Sequence, residues 1–253
     1  EKPEMPLFGE LELRLVLPRV PQMKNLDTEA WEPPKAEILQ LAFEVGDETR
    51  ALLPRAMHPA VPPYATFTVT RYPESPVGPF ELAQLRLVGR AGAHPRGVVL
   101  NAVATTAQAV AALRERWGFP IQLGGVTLRR HYDQVIGAVT RDGATILDLA
   151  LVNPEPISGG DVQYIAGVAL AQVLENGSPT TYLVQVDPHY TFHKAERGRP
   201  KVNRFEATAW NAEPLRLTNP ISASLTTCDT DLPRIRFIMD PEIPVVKGTR
   251  RIR

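Results

Sequence analysis

An α+β domain made mostly of antiparallel strands, curled into a cone or barrel, is the fold class this sequence predicts. Three observations predict it. Short runs of Val, Ile, Leu and Thr recur along the chain, and 25 prolines and 17 glycines in 253 residues break them up. Short apolar runs between turn residues are a signature of strands. Only Thr105–Trp117 reads as a clear helix. So many short strands leave many open edges, and closing the sheet on itself removes them. At 43% hydrophobic, a chain of this length can bury a substantial core.

The elements follow in order. Residues 1–34 form an arm punctuated by Pro3, Pro6, Pro18, Pro21, Pro33 and Pro34, expected to lie across the body or a second subunit; 35–253 form the domain proper. Within the arm, Leu11–Leu17 alternates as a strand does. Ala36–Val45 is a strand, Asp47–Leu53 one or two helical turns stopped by Pro54, and His58–Pro63 a rigid loop. Ala65–Arg71 and Leu82–Val88 are strands joined by the turn-like Tyr72–Pro79. Arg90–Gly97 reads as a loop and Gly97–Ala104 as a strand. Thr105 or Thr106 caps the helix, and Gly118 with Pro120 ends it. Val126–Val139 and Thr145–Val152 read as a hairpin around Arg141-Asp142-Gly143. Ile165–Leu174 has a weaker helical pattern. Thr181–Val186, Lys201–Trp210, Ile221–Thr227 and a last strand, Arg234–Met239, complete the pattern.

Composition narrows the function classes. Lys+Arg and Asp+Glu both total 28, so the net charge is zero and nothing marks a nucleic-acid or anionic-membrane partner. No apolar run approaches the ~20 residues of a membrane helix. The first residues do not form a secretory signal, so a cytoplasmic protein is the default expectation. Cys228 is the only cysteine, which excludes an internal disulfide and any CxxC site. It reads as a packed thiol rather than a nucleophile. The basic residues are mostly arginine; lysine occurs only at 2, 24, 35, 194, 201 and 247. Arginine stays cationic, whereas a desolvated lysine can become a neutral amine, so few positions could supply an amine nucleophile. No metal or other cofactor is called for.

Three segments together resemble the acetoacetate decarboxylase family. They are Tyr72-Pro73-Glu74-Ser75-Pro76-Val77-Gly78-Pro79-Phe80-Glu81, the helix end Leu113-Arg114-Glu115-Arg116-Trp117-Gly118-Phe119-Pro120, and Asp133-Gln134-Val135-Ile136-Gly137. Weaker likeness continues through Tyr182–Pro188 and Lys201–Pro233, so the resemblance spans about 36–240. It implies a twisted β-cone around a buried apolar pocket, a small-molecule substrate, and a homo-oligomer. In the family's decarboxylases a lysine directly after the aromatic-Pro pair forms an imine with a ketone, and a second lysine helps to keep it neutral. Here Phe119-Pro120 is followed by Ile121 and Gln122. Isoleucine can be neither nucleophile nor base, and no lysine lies between Lys35 and Lys194. The imine chemistry therefore does not carry over.

The resemblance also implies the remaining site residues. Glu74 stands at a turn glutamate that positions or protonates substrate, and burial in an apolar cone would raise its pKa as acid–base work needs. Thr68 stands near a further glutamate, and Lys35 near a substrate-orienting arginine. Asn101 shares a strand face with Val103, the face implied to look into the pocket.

Blander readings compete with several of these. Glu74 can be a turn carboxylate satisfied by backbone N–H groups; Gln122, which with Ile121 and the Asn101 amide would contact substrate, can be a loop residue of a decayed site. Arg130, inward on its strand, would hold a carboxylate bidentately; outward, it is a solvated cation. Lys194 reads as part of a solvated hairpin tip rather than a relocated amine. His189 and His193 would share a helix face as metal ligands, but Pro188 and Tyr-Thr-Phe between them favour a strand. Ser75 lies in no G-x-S-x-G elbow.

The expectation is an enzyme acting without an imine on a small or medium carbonyl or carboxylate compound, by acid–base decarboxylation, dehydration, aldol-type cleavage or cyclisation. The alternative is a non-catalytic binder or structural protein on the same fold. A closed, polar-studded cavity centred on Glu74 favours the enzyme; a filled one opposes both small-molecule readings.

Overall fold

The computed structural model describes residues 8–175 and 177–252. In chain order come α1 (Leu13–Val16), β1 (Ala36–Val45), β2 (His58–Tyr72), β3 (Phe80–Ala91), β4 (His94–Ala104) and α2 (Ala107–Trp117). There follow β5 (Ile121–Leu123), β6 (Gly125–Arg130), β7 (Gln134–Arg141), β8 (Ala144–Ile157), β9 (Gly167–Glu175) and β10 (Ser178–Val186). The last elements are β11 (His189–Phe205), β12 (Leu217–Asp231), β13 (Phe237–Met239), α3 (Val245–Gly248) and β14 (Thr249–Arg251).

All the strands belong to one sheet, ordered β14-β13-β10-β9-β4-β3-β2-β1-β12-β11-β8-β7-β6, with β5 alongside β4. Most pairs are antiparallel; β4 pairs in parallel with β5 and β9. The α+β class and the twisted, largely antiparallel sheet agree with the sequence reading. Closure does not: the path is open at β14 and β6. The β6 end folds over the sheet instead of bonding to its far edge. Gly137 on β7 lies so close to Val69 and Leu39 that a Cβ there would come within 2.8 Å of Val69 and 3.1 Å of Leu39. Both free ends carry arginines (Arg129, Arg130, Arg250, Arg251), which discourage further strand pairing.

Strand alternation divides β1–β3 between two cores. Leu39, Leu41, Phe67, Val69, Ala83, Leu85 and Leu87 fill the space enclosed by the curled sheet. Their neighbours Ile38, Tyr72 and Leu82 belong to a second core under α2. Helix α2 forms where its signals predict. The Thr106 hydroxyl accepts from the Ala109 N–H at 3.2 Å. Gly118, at φ 68, ends the helix, and its N–H donates to the Arg114 carbonyl at 3.0 Å. Val110, Leu113 and Trp117 are its buried face.

The described part of the arm, residues 8–34, packs on its own body. Backbone bonds join Gly9 to Met57, Met23 to Gln172 and Trp31 to Leu232. Trp31 is buried edge-on against Trp117, ring centroids 5.1 Å apart.

Several local readings are corrected. Leu11–Leu17 is no strand: no neighbouring strand pairs with it, and Leu13–Val16 turns helical. Ile165–Leu174 is largely β9, buried between β4 and β10, where both faces of a strand can be apolar. His58–Pro63 belongs to β2, with a register shift between Pro59 and Tyr64. Arg90–Gly97 is a tight hairpin turning at Gly92, φ 63. Val126–Val139 is split into β6 and β7, although the hairpin around Asp142-Gly143 forms. Lys201–Trp210 leaves the sheet after Phe205, and β14 follows the expected last strand. Lys194 lies within β11, opposite Thr227, not at a hairpin tip. Of 1–34, residues 1–7 lie outside the described residues.

Candidate active site

The polar cluster of the second core grows from one row of the sheet. Gln40 on β1 lies opposite Thr68 on β2, and Thr68 opposite Gln84 on β3. Two residues along each strand, on the same face, stand Ile38, Thr70 and Leu82 on one side of this row and Arg86 on the other. These residues line a cavity with Tyr72, Leu113, Phe119, Tyr164, Pro188 and Tyr190. Its volume is about 30 Å³, enough for about two waters. Anything larger enters only if a wall moves.

The electrostatics of this space are one-sided. Arg86 donates from Nη1 to the Ile165 carbonyl at 3.1 Å and from Nη2 to the Gln84 side-chain oxygen. It has no carboxylate partner among the described residues. Arg86 Nε and Gln84 Nε2 are both buried without a hydrogen-bond partner. Leaving such a donor unsatisfied costs about 1–3 kcal/mol, so two in one cavity call for an explanation. Burial lowers the pKa of Arg86, but a guanidinium remains cationic. Burial, first of all, pushes the Tyr72 and Tyr164 phenols above their ordinary range, and Tyr190 up to about 12. All three stay protonated at neutral pH. The cavity thus offers one cation, amide and phenol donors and threonine hydroxyls, beside the apolar Leu82, Leu113 and Phe119. Among the described residues, no Asp, Glu, His, Lys or Cys lines it. An oxyanion or carboxylate is the group that such a lining suits.

Of the residues expected from sequence, only Thr68 lines this cavity. Glu74 is not buried in the cone: it sits exposed in the turn between β2 and β3, because Pro73 and Pro76 flank it and that turn projects into solvent. Ile121 is buried in the second core without reaching the cavity; its carbonyl accepts from Arg114. Asn101 is buried on the opposite face of β4, where its Nδ2 donates to the Ala209 carbonyl at 3.3 Å. Gln122 is nearby, its Oε1 accepting from Arg141 at 2.9 Å, and Arg141 also donates to Ala209. This second polar cluster is satisfied internally. Lys35 is exposed and contributes its backbone N–H to Asp229 at 2.9 Å. Arg130 is engaged bidentately by Glu196, at 2.6 and 2.7 Å, and is not available to a substrate there. Lys194 lies 3.6 Å from the same carboxylate. Cys228 is buried, and burial raises its pKa. His189 and His193 lie on a strand, each facing an aspartate.

The residues missed were Gln84, Arg86 and the three tyrosines. Gln84 and Arg86 alternate with Ala83, Leu85 and Leu87 in an otherwise apolar strand. Polar residues at i and i+2 of a buried strand were the available signal.

With this geometry, the relatives are informative. The family model of acetoacetate decarboxylase matches residues 18–240, and the chain belongs to that family. The match begins inside the arm, not at the first core strand. Among solved structures, the chain is similar to an acetoacetate decarboxylase from Legionella pneumophila subsp. pneumophila str. Philadelphia 1, with TM-score 0.72 at 20% identity, over 93% of this chain and 96% of that one. It is similar to the enduracididine biosynthesis enzyme MppR, complexed with the condensation product of pyruvate and imidazole 4-carboxaldehyde: TM-score 0.68, 15% identity, 85% of this chain and 96% of that one. An acetoacetate decarboxylase-like enzyme from Sphingomonas wittichii RW1 gives TM-score 0.64 at 17% identity, over 81% and 91%. Identities this low establish the fold. None of the curated proteins matches the sequence. Among the described residues no helix is long and apolar enough to cross a membrane.

Proposed function

We propose that this chain is an enzyme of the acetoacetate decarboxylase fold that acts on a small carbonyl or carboxylate compound without forming an imine. Arg86 anchors the substrate's anionic oxygen. One observation carries the reading: Arg86 and Gln84 line a shared cavity with buried donors that lack partners. Gln84 and the neutral phenols of Tyr72 and Tyr190 add donors where negative charge would develop. Leu82, Leu113 and Phe119 desolvate the rest of the substrate. A cation and donors favour steps that build charge on oxygen, such as decarboxylation to an enolate, over steps that need a strong base. MppR complexed with pyruvate is a fold neighbour whose ligand is a small keto carboxylate.

Titration of pyruvate and acetoacetate by calorimetry tests this reading. Arg86→Met should weaken binding by about ten- to hundredfold, the equivalent of about 1.5–3 kcal/mol for a charge-assisted hydrogen bond. Unchanged affinity in that variant sinks the anchor. Borohydride reduction in the presence of acetoacetate should add no mass to the protein; a trapped adduct would show that a lysine, Lys194 first among them, does the chemistry.

The absence of any carboxylate, imidazole, amine or thiol from the cavity lining favours a second reading, a binder without turnover. Binding of keto acids without any product detectable by mass spectrometry would select it.

A further inference from the structure

A second, open depression of about 510 Å³ lies on the far side of the cavity wall. Tyr164, Pro188 and Tyr190 line both spaces. The outer one adds Pro95, Ile165 and Phe192, and its rings are in contact. Tyr164 meets Tyr190 edge-on at 4.9 Å, and Tyr190 stacks beside Phe192 at 6.1 Å. The partition between the two spaces is made by Tyr164, in the segment 162–166, together with Pro188 and Tyr190.

That segment is held in an unusual way. Gln163, Tyr164 and Ile165 make no backbone–backbone hydrogen bond among the described residues. Side chains hold them instead. Gln40 donates to the Gln163 carbonyl at 3.1 Å, and Arg86 to the Ile165 carbonyl at 3.1 Å. The Tyr164 hydroxyl meets Thr226 Oγ1 at 2.7 Å and the Ile38 carbonyl at 3.4 Å. The 3-10 turn Gly159–Asp161 precedes the segment, with Gly159 packed against Phe192, and Gly167, paired with Gly97 and Val186 in the sheet, follows it. Two of these side-chain tethers, Gln40 and Arg86, are cavity donors, while the ends of the segment are held by the backbone: the Val162 N–H donates to the Gly159 carbonyl at 3.2 Å and the Gly97 N–H to the Ala166 carbonyl at 2.9 Å. An anionic ligand at the unpartnered Nε of Arg86 would share the guanidinium whose Nη1 holds the Ile165 carbonyl, so one side chain would link ligand and wall.

We infer that residues 162–166 form a lid latched by the Tyr164 hydroxyl. Its opening joins the Arg86 cavity to the outer aromatic depression, so that the site takes a carboxylate or keto acid with a flat apolar tail. This inference rests on the Arg86 anchor proposed above. The inner cavity holds no more than a few atoms, while the joined space is of the size that ligand pockets commonly have. The head of such a molecule lies on Arg86, and its tail against Tyr190 and Phe192.

The test uses the whole chain, with pyruvate and phenylpyruvate as probes, calorimetry for affinity and stopped flow for association. Phenylpyruvate should bind the wild type about tenfold more tightly than pyruvate. Phe192→Ala should remove that preference and leave pyruvate affinity unchanged. Tyr164→Phe and Thr226→Val each cut the latch from one side while keeping the shape, and each should speed association of both probes. Equal affinity for the two probes, with association unchanged in both latch variants and binding lost in Arg86→Met, overturns the lid and leaves the anchor standing. Full binding in Arg86→Met overturns the anchor and the lid with it. Failure of both probes to bind any of these proteins overturns both.

Discussion

Arg130 and Glu196 show what a strand arginine does when its partner is already in the chain. The Glu196 side chain is 6% exposed, and the Arg130 side chain 45%. The hydrogen bond from Arg130, more than any other influence, holds the Glu196 carboxyl below its usual range. A carboxyl with a depressed folded pKa stabilises the fold above its unfolded pKa, and that contribution disappears as pH falls through the folded value. Arg130→Ala leaves the carboxylate with Lys194, 3.6 Å away, as its remaining cation, at about 1–3 kcal/mol, the lower end being favoured because Lys194 stays and half of Arg130 is screened by water. Urea denaturation should show that loss at neutral pH, and a gap from wild type that closes below about pH 4. Arg86 is the opposite case, an arginine with no carboxylate partner among the described residues. Glu74 differs from both: exposed in its turn, it should tolerate Glu74→Gln within about 0.5 kcal/mol of stability, with keto-acid affinity unchanged in the same calorimetry.

At the scale of elements, α2 was legible because its determinants are local. Thr106, the alanine and leucine run and Gly118 lie within one short stretch of chain. Gly118 also illustrates how a terminator acquires a second duty. At φ 68, a side chain is strained, and a Cβ would come within 2.3 Å of Ala171 on β9. Gly118→Ala should therefore cost about 1–3 kcal/mol, more than a simple helix-end change, measurable as a lower urea midpoint at constant slope. Elements whose identity depends on neighbours were harder to read. Val168–Leu174 alternates in burial but not in residue type, since Leu170 and Leu174 stand on its less buried face, and its edges are covered by β10, by the start of β4 and by Gln22 of the arm. Leu11–Leu17 alternates, yet no strand edge is there to receive it. The site shared this difficulty. Thr68 was found on a strand face, but Gln84, Arg86, Tyr164 and Tyr190 come from three separated segments that meet only through the sheet's order and the path of 158–166. A resemblance at a turn drew attention to Glu74 because sequence carries no direct mark of burial.

The whole molecule is a single open sheet folded back on itself, and its interior depends on close approach at few points. Gly137 is one, where β7 crosses over Leu39 and Val69. Gly137→Val should lower stability by about 1–3 kcal/mol through overpacking, read by chemical denaturation. It should leave pyruvate affinity unchanged, because the Arg86 cavity is on the other face of β1–β3. A parallel loss of affinity would show that the two faces are mechanically coupled.

That two-faced use of β1–β3 bears on how such a protein can change over generations. Odd-numbered positions from Leu39 to Leu87 fill the core inside the curled sheet, while even-numbered ones from Ile38 to Arg86 line the cavity and the second core. Substitutions that rewrite one set need not disturb the other.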